Sequence, residues 1–80
     1  MNKAIQQFNY FAKMATADPL YEQVKEYAVN DFFMSQPEQA KEEIARAYAR
    51  IERNTASATD MQLIMMYYSM AKASYKEREK

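Results

Sequence analysis

Side chains that could carry out catalysis or bind a metal are scarce in this chain. Its 80 residues include no cysteine and no histidine, which removes the usual Ser-His and Cys-His pairs and the common zinc sites. It also has no glycine, so phosphate-binding loops and dinucleotide fingerprints are excluded. Ser-Lys chemistry would have to use Ser69, Lys72 or Ser74, which lie in no supporting motif. We therefore predict a non-enzymatic protein with no cofactor and no metal.

The most unusual segment runs from Met61 to Ala71 and is apolar almost all the way round. A surface helix normally has a single apolar stripe. With the rotation of about 100° per residue in an α-helix, this segment has two apolar faces. One face contains Met61, Ile64, Met65, Tyr68, Ala71 and Tyr75. The opposite face contains Leu63, Met66, Tyr67 and Met70. One helix cannot hide both faces in so small a bundle, so the first is predicted to join the core and the second to bind a partner.

Helical periodicity elsewhere predicts an all-α fold, a compact antiparallel bundle of four helices. The helices are expected at residues 2–16, 19–34, 36–53 and 58–77. Together they form one domain over residues 1–80, with a charged tail at 77–80 that is expected to fray. The absence of glycine supports this architecture, because hairpins and bulges usually require it.

Helix starts are marked by capping residues. The dipeptide Asp18-Pro19 is typical of an N-cap followed by the first helical position. The segment Ser35-Gln36-Pro37-Glu38 has the spacing of a capping box. Either Ser57 or Thr59 is predicted to cap the last helix.

Asp31 is the acidic residue that breaks a pattern. Helical projection places it on the inward face of the second predicted helix, near the negative end of the helix dipole. One interpretation is that it binds an arginine of a partner or lies in a binding cleft. The other, which we favour, is that the helix breaks near Asn30, so that Asp31 caps a short continuation or pairs with an arginine or tyrosine of its own chain.

Three arginines, Arg46, Arg50 and Arg53, recur on the outer face of the third predicted helix. Such a stripe can bind the carboxylates of a partner or phosphates. Glu42 and Glu43 lie one turn earlier and are expected to pair with Arg46, as on an ordinary solvated helix surface. The stripe is therefore a secondary candidate for partner binding.

Tyr10 and Met14 form a second apolar pair, four residues apart on the outer side of the first helix. Isolated apolar residues are normal on surfaces. The seven methionines of the chain matter more, because the flexible thioether side chain adapts to varied partners. Tyr10 and Met14 are candidates to extend the partner-binding face of the last helix.

Charge and hydropathy limit the classes of partner. Eleven basic and eleven acidic residues give a net charge of zero, so general attraction to nucleic acid or anionic lipid is not expected. No apolar run approaches the roughly 20 residues needed to cross a bilayer, and no signal peptide is recognised. We predict a cytoplasmic protein that does not interact with membranes.

The sequence thus favours a protein–protein interaction module. It is expected to form a homodimer or to dock on a larger protein and cover a functional surface, as small phage and mobile-element inhibitors do. The alternatives are a nucleic-acid-associated regulator and a structural subunit of a larger assembly.

Overall fold

The computed structural model describes residues 3–78, which form five helices and no strand. The helices are α1 (Lys3–Ala17), α2 (Tyr21–Val29), α3 (Asp31–Met34), α4 (Glu38–Glu52) and α5 (Ala58–Arg78). The predicted all-α helical bundle is confirmed. Helix α5 extends through residues 77 and 78 of the expected tail, whereas residues 1, 2, 79 and 80 lie outside the described part of the chain.

The second predicted helix is divided into α2 and α3 at Asn30. The backbone of Asn30 leaves the helical region, with φ −112° and ψ −92°. Its side-chain amide donates a hydrogen bond to the Glu26 carbonyl at 3.0 Å, and its backbone amide donates to the same carbonyl at 3.1 Å. The break predicted near Asn30 is confirmed, and a single helix over 19–34 is wrong.

Of the three predicted caps, only the one at Ser57 is formed, because the N-cap of α2 is Leu20 and has no side-chain hydrogen bond. Asp18 Oδ1 accepts a hydrogen bond from the Leu20 amide at 2.9 Å, although a turn delays the start of α2 to Tyr21. Ser57 Oγ accepts from the Asp60 amide at 3.2 Å, while Asp60 Oδ2 accepts from the Ser57 amide at 3.0 Å, which is a reciprocal capping box at the start of α5.

The capping box predicted at Ser35 is wrong. The Ser35 hydroxyl donates to the Phe32 carbonyl at 2.7 Å. The same carbonyl accepts from the Ser35 amide and the Gln36 side chain, so Ser35 bonds to the end of α3 and not to the start of α4. Helix α4 begins after Pro37 without a side-chain cap.

Helix α4 ends in a Schellman motif with asparagine in the place usually taken by glycine. Asn54 has φ 60°, a left-handed conformation that asparagine tolerates better than most residues. The Asn54 amide bonds to the Ile51 carbonyl at 3.1 Å and the Thr55 amide to the Arg50 carbonyl at 2.9 Å. This motif turns the chain toward α5.

Helix α5 is the centre of the bundle, since α1, α2 and α4 all pack against it. The α4–α5 pair is antiparallel, with Arg50 beside Asp60 at the connecting turn. Helix α2 runs along α5 in the same direction, because Tyr21 contacts Tyr68 while Tyr27 contacts Tyr75. The core is built largely from small side chains: Ala4, Val24, Ala28, Ile44, Ala47, Tyr67 and Ala71 are buried.

Candidate functional site

An apolar groove opens between α1 and α4, with α5 as its floor. We call it the α1–α4 groove; its volume is about 450 Å³. Its walls and floor include Phe8, Phe11, Phe33, Ile44, Tyr48 and Ile64. Helix α2 also lines the groove, through Tyr21, Lys25, Ala28 and Val29. Among residues 3–78, Lys25 is the only charged residue that lines it.

Tyr67 forms part of the groove floor and is not on the outer surface, so its predicted exposure is wrong. It is 9% exposed, and its ring lies 5.4 Å from that of Phe32. Its hydroxyl donates to the Ala28 carbonyl, which lies in the last turn of α2, where carbonyls lack intrahelical partners. Because three helices pack on α5, the buried arc is wider than one stripe and includes Tyr67.

Tyr68 lies between the α1–α4 groove and a second depression, which separates the C-terminal part of α1 from α5. Its ring packs edge-on against Phe11 at 5.6 Å. Its hydroxyl is buried and neither donates nor accepts a hydrogen bond within residues 3–78. Burial raises the pKa of Tyr68, and the nearby Asp18 carboxylate adds to the effect.

The predicted partner-binding face of α5 retains three of its four residues outside the core. Met66 and Met70 are 56% and 48% exposed, and Leu63 is half-buried. On α1, Tyr10 and Met14 are exposed as well. Their part in binding remains a prediction.

The second depression places α1 beside the exposed side of α5. Met14 lines this depression together with Ser69 and Ala73 of α5, and Met66 and Met70 each lie one turn before one of these two α5 residues. We call Met14, Met66 and Met70 the methionine surface. The sequence could not show that α1 and α5 line one depression.

Comparisons with protein-family models, curated proteins and solved structures gave no match. Candidate sites are therefore defined by geometry alone. Residues 3–78 contain no group of three or more acidic side chains arranged to hold a metal ion. Within the same range, no helix is long and apolar enough to cross a membrane.

The predicted arginine stripe is divided by an intrachain ion pair. Arg50 Nη1 lies 2.9 Å from Oδ1 of the buried Asp60, so this arginine joins α4 to the capping box of α5. Arg46 and Arg53 are exposed, and the ion pairs within residues 3–78 do not include the predicted Glu42 or Glu43 partners of Arg46. Sequence analysis missed Asp60, although Ser57 and Asp60 have capping-box spacing.

Asp31 lies at the surface, and its predicted inward orientation is wrong. The helix break at Asn30 rotates it out of the α2 stripe, and its carboxylate lies 3.0 Å from Nη1 of Arg78. The guanidinium of Arg78 also lies 5.2 Å from the ring centre of Tyr27. The prediction of an arginine partner within the chain is confirmed.

The hydrogen bonds of two carboxylates make the stability of the fold depend on pH in the acidic range. The Ser57 amide, aided by Arg50, lowers the pKa of Asp60. The hydrogen bond from Lys72, aided by the Leu20 amide, lowers the pKa of Asp18. A carboxylate whose pKa is lower in the folded state stabilises the fold above its unfolded pKa, about 3.9, and loses this effect as pH falls through the folded value.

We therefore expect the melting temperature to decline below about pH 4. Asp18→Asn and Asp60→Asn should lower the melting temperature at neutral pH and flatten this decline, measured by circular dichroism across the pH range. Glu22→Gln, at an exposed position of α2, is the matched control. If the melting temperatures of the wild type and both asparagine variants declined equally with falling pH, Asp18 and Asp60 would not be the cause of the decline.

Proposed function

We propose that this protein is a non-enzymatic protein–protein interaction module, a small inhibitor or modulator that covers part of a larger protein. The observation that supports this proposal is the methionine surface. Met66 and Met70 remain about half exposed on the helix that forms the centre of the bundle. Burying such side chains against a partner contributes roughly 25 cal/mol per Å² of apolar area. Contiguous exposed apolar residues are typical of interaction sites.

The residues around this surface define the chemistry of the partner. Methionine is unbranched and flexible, so the surface can adapt to an irregular apolar patch. Lys76 is exposed at the edge of the second depression, beside the Lys72–Asp18 ion pair. The partner is accordingly a protein whose apolar patch has an acidic rim, because complementary charge favours encounter and fixes orientation.

Glutamate substitutions in the methionine surface test the proposal. The full chain is used to capture host proteins, and the captured protein is identified by mass spectrometry, purified and titrated by calorimetry. Met66→Glu and Met70→Glu should each weaken its binding at least about tenfold, because a carboxylate would be buried without a partner and would face the acidic rim. Helicity should be retained, since substitutions at exposed positions change stability by only about 0.5 kcal/mol.

Gln39→Glu is the matched control, because it adds the same charge at an exposed position of α4. It should bind as the wild type does. Binding unchanged by both methionine substitutions would refute the proposed surface. Salt-sensitive binding of nucleic acid without any protein partner would instead support the alternative regulator function.

A further inference from the structure

The α1–α4 groove has the size of a small-molecule site. Its volume of about 450 Å³ lies within the range of ligand pockets in proteins, roughly 300–1,000 Å³, which are mostly apolar and contain a few polar groups that orient the ligand. Its lining includes the buried residues Ala28, Ile44 and Tyr67. A molecule of that size in the groove would therefore contact the core of the bundle.

Two tyrosines of α5 line the groove, but their hydroxyl groups are not available to a ligand. Tyr67 donates its hydroxyl to the Ala28 carbonyl. The Tyr68 hydroxyl is buried within the protein, so Tyr68 offers a ligand only its ring. A polar group inserted beside these rings would lose its hydrogen bonds to water without replacement, which is energetically costly. The interior of the groove therefore favours an apolar part of a ligand.

Lys25 supplies a positive charge at the solvent-exposed edge of the groove. Its side chain is exposed, and its ammonium lies 5.9 Å from the ring centre of Tyr21, which also lines the groove. Although Glu22 and Glu26 flank Lys25 in the sequence, none of the ion pairs within residues 3–78 includes it. The ammonium can therefore bind an anionic group that stays partly in solvent.

We infer that the α1–α4 groove binds an amphiphile with one anionic head group and an apolar tail, the chemistry of a medium-chain fatty acid. The tail lies against the rings of Tyr67 and Tyr68, and the head group accepts a hydrogen bond from the Lys25 ammonium. This arrangement buries apolar area, which is favourable, and leaves the charge at the solvated edge. No residue of the methionine surface lines the groove, so the inference does not rest on the proposed function.

Isothermal titration calorimetry of the full chain tests the site. The ligands are octanoate, decanoate and dodecanoate, each below its micelle concentration, and 1-decanol, which has a ten-carbon tail without charge. One molecule of each fatty acid should bind per chain. Affinity should rise by up to about fourfold with each added methylene until the groove is full, because that factor corresponds to the burial of one CH₂ group.

Lys25→Gln separates the head-group contact from burial of the tail. It should weaken decanoate binding about tenfold, because a hydrogen bond between charged groups is lost, and should leave the binding of 1-decanol unchanged. Lys13→Gln is the matched control, since Lys13 is an exposed lysine of α1 that does not line the groove. It should bind both ligands as the wild type does.

Ala45→Trp fills the groove from an exposed position of its lining. It should weaken the binding of both decanoate and 1-decanol at least about tenfold, because the indole occupies the space of the tail and about two buried methylenes are lost. Ala73→Trp is the matched control, since it places the same side chain at an exposed position in the second depression. Circular dichroism verifies that each variant retains its helices.

Three results would overturn the inference. The first is no binding of dodecanoate at about 1 mM, and the second is equal decanoate affinity of the wild type and folded Lys25→Gln. The third is a groove occupied by another protein chain, seen as a wild-type dimer in sedimentation equilibrium that Ala45→Trp dissociates and decanoate does not. Failure of partner capture by a protein that still binds decanoate would refute only the proposed function.

Discussion

Tyr67→Ala should remove a large part of the free energy of unfolding of this protein. Truncating a buried aromatic side chain costs about 3–5 kcal/mol, and a domain of 80 residues has a total stability of roughly 4–12 kcal/mol. Tyr67 contacts the core residues Ala28, Ile44 and Ala71, so its removal loosens the packing of α5 against both α2 and α4. Circular dichroism of the full chain during thermal and urea unfolding would measure the loss.

Tyr67→Phe separates the hydroxyl from the ring. The ring packing is kept, but the Ala28 carbonyl loses the donor that it has at the end of α2. Leaving such a buried acceptor without a partner costs about 1–3 kcal/mol, and each kcal/mol lowers the melting temperature of a domain this small by about 4–8 °C. Tyr10→Phe, at an exposed tyrosine, is the control and should not change the melting temperature. Equal stability of Tyr67→Phe and the wild type would contradict this capping role.

Alkaline titration gives an independent readout of the same residue. Burial raises the pKa of Tyr67 to about 12, with a smaller effect from Tyr27. Because the pKa is higher in the folded state than the unfolded value of about 10, the neutral hydroxyl stabilises the fold below pH 10. That contribution is lost as pH rises through 12. The tyrosinate absorbance of the wild type should therefore include a late step that Tyr67→Phe lacks.

The helical elements could be predicted from the sequence because local rules govern them. Ser57 caps α5 as its type and position indicate, and the break at Asn30 follows from an acidic residue placed in an apolar stripe. Asp18 accepts from the Leu20 amide in a turn, and α2 begins only after that turn. The wrong cap at Ser35 has a local cause as well. The Ser35 hydroxyl bonds to the Phe32 carbonyl of α3, and the pattern of α4 gives no information about that acceptor.

The predicted position of Tyr67 on the exposed face of α5 was wrong because tertiary packing decides which residues of this helix are buried. Helical projection separates Tyr67 from Tyr68 by about 100°, so the two residues were predicted on opposite faces. Three helices around α5 bury a wider arc, and Tyr67 meets a carbonyl 39 residues earlier in the chain. The groove could not be predicted for a related reason: residues of all five helices line it, and the apolar stripe of one helix gives no information about how the others pack.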